Sequence, residues 1–232
     1  MKRVLLKLSG EALANDSGDI YDNSFVDNVA ATLKCAVDKG FELAVVVGAG
    51  NIWRGRQGGE MDRVSADRMG MLATVINAIC LKEALERCGV SAVVMTAVPM
   101  SPFAEAYTSE AAKRYLSSGK VVVFGAGLGI PFLSTDTTGA VRAAEIEADA
   151  MFMAKNIDYI YTDDPRKNPN AKKLERVKAS EVLAMNLKAI DATATAFCLS
   201  TGMPIHVFGL KDPVDILSAL EGKSVGTVIT AE

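Results

Sequence analysis

The 232-residue sequence is short of what marks several protein classes. It has four cysteines and one histidine. Cys35, Cys80, Cys88 and Cys198 make no Cys-x-x-Cys pair and His206 stands alone, so a structural zinc site would need ligands from distant segments. Buried thiols in a reducing compartment are the simpler reading. A basic excess is missing too: the formal net charge is −3, which argues against a protein that grips nucleic acid by its phosphates. No stretch approaches the roughly eighteen uncharged apolar residues of a membrane span. Met1-Lys2-Arg3 followed by Val4-Leu5-Leu6 begins like a signal peptide, but Lys7 interrupts the run and Ser9-Gly10-Glu11 ends it. The expectation is a cytoplasmic protein with no membrane partner, no nucleic-acid partner and no metal site of its own.

Two phosphate-binding signatures are absent as well. A dinucleotide fingerprint needs G-x-G-x-x-G, yet the sixth position is Trp53 after Gly48 and Gly50, and Ile130 after Gly125 and Gly127. Gly222-Lys223-Ser224 has the ending of a P-loop, but the opening glycine would be Leu217. That segment also lies between a helix and a strand, the reverse of the P-loop order.

What is present is an alternation of apolar strands and helices. Half of the residues are hydrophobic and 23% are charged, which excludes a disordered or fibrous chain. Val4 to Leu8 reads as a strand buried on both faces. Phe25, Val29, Leu33 and Val37 mark a helix that Gly40 ends. Leu43 to Val47 is a strand running into Gly48-Ala49-Gly50-Asn51. Ala66 to Arg87 is a long helix, with Met69, Leu72, Ile76 and Ile79 as its apolar stripe. Further strands are expected at Ala92 to Met95, Val121 to Phe124, Ala150 to Met153, Asp158 to Tyr161, Pro204 to Phe208 and Val225 to Thr230. Helices are expected at Ser109 to Leu116, Asp136 to Glu147, Ser180 to Leu187, Ala189 to Leu199 and Pro213 to Leu220. Thr162 to Arg176, with Pro165 and Pro169, reads as a polar loop. The pattern specifies one α/β domain over 1–232, with a mainly parallel sheet and helices on both faces. Such sheets bind ligands beyond the carboxyl ends of their strands, where the glycine runs sit.

Several of those strand ends could present backbone N–H groups to phosphate. Lys7 is the most telling residue. A lysine inside a buried strand is costly unless its ammonium reaches a charged partner, and at this strand end it could hold a phosphoryl group in transit; the alternative is snorkelling to solvent. Arg54, four residues after Gly50, could add a guanidinium fork, or sit on the surface of a tight turn. Asp67 could cap the long helix or accept from sugar hydroxyls or a base edge. Ser134, Thr135 and Asp136 stand at an expected helix start that could bind an anion, with Asp136 alternatively a cap. Tyr161-Thr162-Asp163-Asp164-Pro165 could meet a nucleoside or form a plain turn. Asp191 reads as a helix cap.

Taken together, KLSGEAL at 7–13, GAGNIWRG at 48–55, DRMGMLATVINA at 67–78, PFLSTD at 131–136, AAEIEAD at 143–149, YTDDP at 161–165 and the SEVL…IDATA run from Ser180 to Ala194 closely resemble bacterial uridylate kinases of the amino-acid-kinase superfamily. The resemblance covers essentially the whole chain. It implies the three-layer α/β/α sandwich of that superfamily and the reaction ATP + UMP to ADP + UDP, with Mg²⁺ accompanying ATP. It implies Lys7, Arg54 and Asp136 as the catalytic group. Lys7, Leu8, Ser9, Gly10, Gly50 and Arg54 would lie on the ATP phosphates, and Lys155, Tyr161 and Asp164 would line the ATP nucleoside pocket. Ala49, Asp67, Leu128, Gly129, Ile130, Pro131, Phe132, Leu133, Ser134 and Thr135 would hold UMP. The N-terminal part would mainly bind UMP and the C-terminal part mainly ATP. A homohexamer activated by GTP and inhibited by UTP is also implied, with the GTP-responsive region near Asn15 to Ile20.

The sequence departs from the family pattern where GGGN becomes GAGN at Ala49, and where GTGNPF becomes GAGLGIPF, which reads as re-registered. Readings that stay open are a kinase of the same superfamily acting on a carbamate, an amino-acid carboxylate or another small phosphate, and a silent nucleotide sensor.

Overall fold

The computed structural model describes residues 2–15, 18–53, 60–187 and 189–232. From the N-terminus come β1 (Arg3–Leu8), a 3-10 turn (Gly10–Leu13), α1 (Asn23–Asp38), β2 (Glu42–Val47), α2 (Arg63–Arg87) and β3 (Ala92–Thr96). The middle holds β4 (Glu105–Ala106), α3 (Ser109–Ser117), β5 (Val121–Gly125), α4 (Thr135–Glu145) and β6 (Ala150–Lys155). Then follow β7 (Ile160–Tyr161), β8 (Lys173–Leu174), β9 (Arg176–Lys178), α5 (Ala179–Ala184), α6 (Ala192–Thr201), β10 (Ile205–Gly209), α7 (Val214–Leu220) and β11 (Thr227–Thr230).

Nine of these strands form one sheet in the order β4-β3-β5-β2-β1-β6-β10-β11-β9. Every neighbouring pair is parallel except β10 with β11. Strand β1 is central because its leucines and valine are buried on both faces. Alternation along the strands separates two cores. Val4, Leu6 and Leu8 of β1 pack with α1, α2 and α7 on one face. Leu5 of β1, with Met151 and Met153 of β6, packs with α3, α4, α5 and α6 on the other. The result is the expected three-layer α/β/α sandwich. Lys7 has the parity of Leu5, and Lys155 that of Met151 and Met153, so both point to the α4 side.

The chain passes from β5 to β6 across β2 and β1, by way of α4. Connections before that crossover build one half of the sheet and those after it build the other. The order therefore reverses between β1 and β6, where open α/β sheets place their ligands. Helix α4 reaches that point because it lies close on the sheet: a β-carbon on Gly139 would come within 2.2 Å of Met151 Cε.

The long helix α2 exists as expected but turns a different face inward. Met69, Leu72, Ile76 and Ile79 are 40%, 53%, 52% and 40% exposed, whereas Ala73, Ala78, Leu81, Ala84 and Leu85 are buried on the sheet. Alanines at 73, 78 and 84 let the helix approach the strands beside Leu81 and Leu85, and the large side chains of the other stripe are left outside. By length and composition α2 could cross a membrane, and it is the one such helix among the described residues. The expected loop Thr162 to Arg176 contains β8 and leads into β9, and β8 pairs antiparallel with β7. The strand expected from Asp158 shortens to Ile160–Tyr161. Asp158 instead uses its carboxylate to accept from the Tyr159 N–H, the Tyr161 hydroxyl and the Lys173 ammonium.

Candidate active site

At the carboxyl rim of the sheet, β1 ends in Lys7-Leu8-Ser9-Gly10 and β2 ends in Gly48-Ala49-Gly50. The two turns touch. A β-carbon on Gly10 would fall 2.3 Å from the Gly48 carbonyl oxygen and 2.8 Å from Gly50 N, so only glycine fits there. The Gly48 N–H donates to the Leu8 carbonyl at 2.9 Å. Leu8 itself is buried in the core, so its side chain faces away from any ligand at this rim. Ala49 has no positive φ, so the replacement of a glycine there carries no left-handed strain.

The lysine of β1 has found its charged partner. Lys7 Nζ lies 2.9 Å from Asp136 Oδ1, and Lys155 Nζ lies 2.6 Å from Asp136 Oδ2. Lys155 also donates to the Ala189 carbonyl at 2.5 Å. One carboxylate thus holds two ammonium groups, each on its own oxygen. Burial acts to raise the Asp136 carboxyl, but the charges of Lys7 and Lys155 outweigh it and hold the group below its ordinary value. Burial, reinforced by the Lys7 charge and opposed by Asp136, pulls the Lys155 ammonium below the usual lysine range.

Asp136 is not the cap of its helix. Ser134 is: its Oγ accepts from the Asp136 and Thr137 N–H groups at 3.1 Å each. Those two donors, expected to meet an anion, are therefore engaged within the protein. Ser134 in turn donates to Asp191. Asp191 is a cap, as expected, accepting from the Ala194 N–H of α6 at 2.7 Å. It also accepts from Thr137 Oγ1 at 3.0 Å, so one carboxylate ties the starts of α4 and α6 together.

Two cavities flank this cluster. One of about 430 Å³ is lined by Asp136, Lys155, Leu183, Asn186, Asp191 and Thr195 among others. The other, about 470 Å³, is lined by Ala49, Gly50, Asp67, Leu128, Ile130, Phe132, Leu133, Ser134 and Thr135, all singled out in the sequence. Both volumes suit small-molecule sites, which run from roughly 300 to 1,000 Å³. Asp191 belongs to both walls. Gly129 and Pro131 belong to the same loop as the second set but line neither cavity. Tyr161 and Asp164 also line neither: Tyr161 donates to Asp158, and Asp164 accepts from the Arg166 N–H. Arg54 lies outside the described residues.

Asp67 is likewise no cap. That role falls to Asp62, which accepts from Ser65 N at 2.9 Å. Asp67 accepts from Arg63 Nε at 2.9 Å and from the Phe132 N–H at 2.8 Å. The second bond holds Phe132 at φ +70°, a conformation that side chains disfavour. The Arg63 guanidinium sits 5.6 Å from the centre of the Phe132 ring, over the second cavity. Arg63 and Trp53 line this cavity without having been singled out; an arginine four residues before Asp67 on one helix face was the signal for the first. In the re-registered turn, Ala126, Gly127 and Gly129 all have positive φ, and the Ala126 N–H donates to Thr74 Oγ1 at 2.9 Å.

The profile of the amino acid kinase family matches residues 2–209. This chain belongs to the amino acid kinase family. Solved structures match over 99–100% of this chain. A UMP kinase from Bacillus anthracis is 36% identical, with a TM-score of 0.95 over 100% of this chain and 96% of that one. A UMP kinase from Ureaplasma parvum is 34% identical, with a TM-score of 0.93 over 99% and 98%. A uridylate kinase from Archaeoglobus fulgidus is 28% identical, with a TM-score of 0.77 over 99% and 100%.

Proposed function

We propose that the chain transfers the γ-phosphoryl group of MgATP to UMP, giving ADP and UDP in pyrimidine nucleotide synthesis. The observation that carries this reading is the pair of buried lysines on Asp136, at the reversal point of the sheet, with Asp136 and Lys155 on the wall of the first cavity. Full-length similarity to UMP kinases supports the choice of acceptor.

The chemistry asks little of a general base. A phosphate oxygen of UMP, already ionised near neutral pH, forms a bond to the γ-phosphorus as the bond from that phosphorus to the departing ADP oxygen breaks. The obstacle is bringing two anions together in line. Lys7 and Lys155 supply fixed positive charge there, and the resemblance assigns Arg54, which lies outside the described residues, the same role. Asp136 takes no proton; its two oxygens aim the two ammonium groups. Mg²⁺ arrives as part of the ATP substrate and neutralises phosphate charge. No three His, Cys, Asp or Glu side chains gather into a metal-binding group among the described residues. A phosphate-borne Mg²⁺ needs only one or two protein carboxylates.

The second cavity takes UMP, with Asp67 accepting from the nucleoside and the Leu128 to Thr135 loop closing over it. Backbone groups of Leu8, Ser9, Gly10 and Gly50 serve the ATP phosphates, and Tyr161 and Asp164 the ATP nucleoside. The N-terminal part thus mainly holds the acceptor and the C-terminal part the donor, in a cytoplasmic setting. Self-association into a hexamer is supported by the exposed stripe of α2, which has no charged residue from Met69 to Leu81. Regulation by GTP and UTP belongs to this reading as well.

The test is a coupled assay of ADP release with UMP, CMP, glutamate and carbamate as acceptors. UMP-dependent release well above the others is expected. Release with glutamate or carbamate alone would move the chain to another branch of the family, and ATP binding without release for any acceptor would make it a sensor.

A further inference from the structure

An asparagine in the middle of an apolar helix is a poor choice unless its amide is used. Asparagine is a weak helix former, and a buried amide without partners is costly. Asn77 of α2 is fully buried, and every donor and acceptor site of its side chain is filled. Its Nδ2 donates to the Gly48 carbonyl at 2.7 Å and to Asn51 Oδ1 at 2.8 Å. Its Oδ1 accepts from the Tyr21 hydroxyl at 2.7 Å and from Asn51 Nδ2 at 3.0 Å. Asn51 makes one further bond, to the Ile20 carbonyl at 3.0 Å.

These bonds converge on the turn after β2. The Gly48 oxygen that Asn77 holds is the atom against which Gly10 is packed. One side chain therefore fixes the contact between the two glycine turns that the phosphoryl-transfer reading places on the ATP phosphates. It fixes them relative to α2 and to the Ile20-Tyr21 segment at the same time. Neither aspartate nor leucine could substitute: the first lacks both donors and the second all four sites. Glutamine has the same groups but one methylene more, and the surroundings are closely packed.

We propose that Asn77 is a positioning residue for phosphoryl transfer: it sets the Gly48–Asn51 turn against Gly10 and so places the backbone groups that receive the ATP phosphates. This rests on the kinase reading above. Asn77 touches no reacting atom; it acts through Gly48 and Asn51.

The experiment compares wild type, Asn77→Asp and Tyr21→Phe by kcat, KM for each substrate, MgATP affinity by calorimetry, and Tm. In Asn77→Asp, kcat at pH 8 should fall about tenfold or more, because a small misplacement of reacting groups is costly, while the UMP KM stays within about threefold. Burial away from cations raises the pKa of the introduced carboxyl, and its protonated form regains a donor toward Gly48. Part of the loss should therefore be recovered at pH 6 relative to wild type, which mere destabilisation would not produce. Tyr21→Phe keeps both bonds to Gly48 and Asn51, so it should lower Tm with kcat within about twofold of wild type, the range expected where no reacting group moves. A folded Asn77→Asp enzyme with wild-type kcat and MgATP affinity would overturn the proposal. If Asn77→Asp does not fold, Asn51→Ala is read the same way: a lower kcat supports the proposal and an unchanged one overturns it. If wild type makes no ADP with UMP, the kinase reading has failed instead. MgATP affinity then decides alone: weaker binding in the variant supports the positioning role, and equal binding overturns it.

Discussion

Lys7 Nζ lies 2.9 Å from Asp136 Oδ1, with about nine-tenths of each side chain buried. A lysine from the central strand and an aspartate from the start of a helix 129 residues later meet at the reversal point of the sheet. Buried ion pairs contribute little net stability over a well-packed apolar alternative, so a pair whose aspartate lines a cavity beside Lys155 points to work on charge.

Asp136→Asn leaves two buried ammonium groups without the counter-charge they share. Breaking a buried pair from one side costs about 3–5 kcal/mol. We expect a clear loss of stability in denaturant titrations together with a loss of kcat. Stability equal to wild type would mean that the pairing with Lys7 and Lys155 does not persist in solution.

The pH dependence has two limbs with different signs. The Asp136 carboxyl is held below its ordinary value, so its contribution to stability is complete above the unfolded value of about 3.9 and is lost as pH falls through the folded one. The Lys155 ammonium is also held below its usual range, so between its folded value and about 10.4 the unfolded chain binds more protons. In that alkaline window Lys155 favours stability as pH rises, yet kcat falls because its charge is lost. A kcat profile of wild type beside Lys155→Arg checks this: the alkaline fall should move to higher pH in the variant. Identical profiles would remove Lys155 from the charge cluster.

Asp67 separates a binding role from a structural one. Asp67→Asn should raise the UMP KM by about tenfold with the ATP KM little changed, the signature of lost uniform binding to one substrate. Arg63→Ala breaks a partly exposed i,i+4 pair and an exposed contact with the Phe132 ring, and should change stability by about 1 kcal/mol or less. Steady-state kinetics with each substrate varied in turn decide the first point. An unchanged UMP KM in Asp67→Asn would leave Asp67 as an anchor for Phe132 alone.

Helix α2 makes a prediction about assembly. If its exposed stripe packs against a second copy, Leu72→Glu and Ile76→Glu should lower the mass measured by light scattering, because charge is excluded from the core of such interfaces. Monomeric wild type, or variants of unchanged mass, would contradict this.

Much of this architecture was legible in the sequence. The alternation of apolar runs gave the sandwich, but the expected strand ended at Met153, so the parity that puts Lys155 on the face of Lys7 was not read from it. The side of α2 that packs inward was not legible. Periodicity finds an apolar stripe but, in a helix apolar on two sides, does not tell the face that packs on the sheet from the one that is left exposed. Strands β7 and β8 are two residues long, too short to show alternation. The link from Lys155 to Asp136 was not legible either, because it depends on which strand the crossover from β5 reaches. Asn77 lay within a quoted segment without a role, since a buried amide declares its use only through its partners.

The central claim is that fixed positive charge on the α4 face of β1 lowers the barrier between two anionic nucleotides. Single-turnover and steady-state rates of purified Lys7→Ala, with UMP and MgATP saturating, measure this directly. We expect kcat to drop by about 10²-fold or more, the scale of one preorganised transition-state contact, in a protein that still folds because Lys155 retains Asp136. A folded Lys7→Ala enzyme with nearly wild-type kcat would contradict the account.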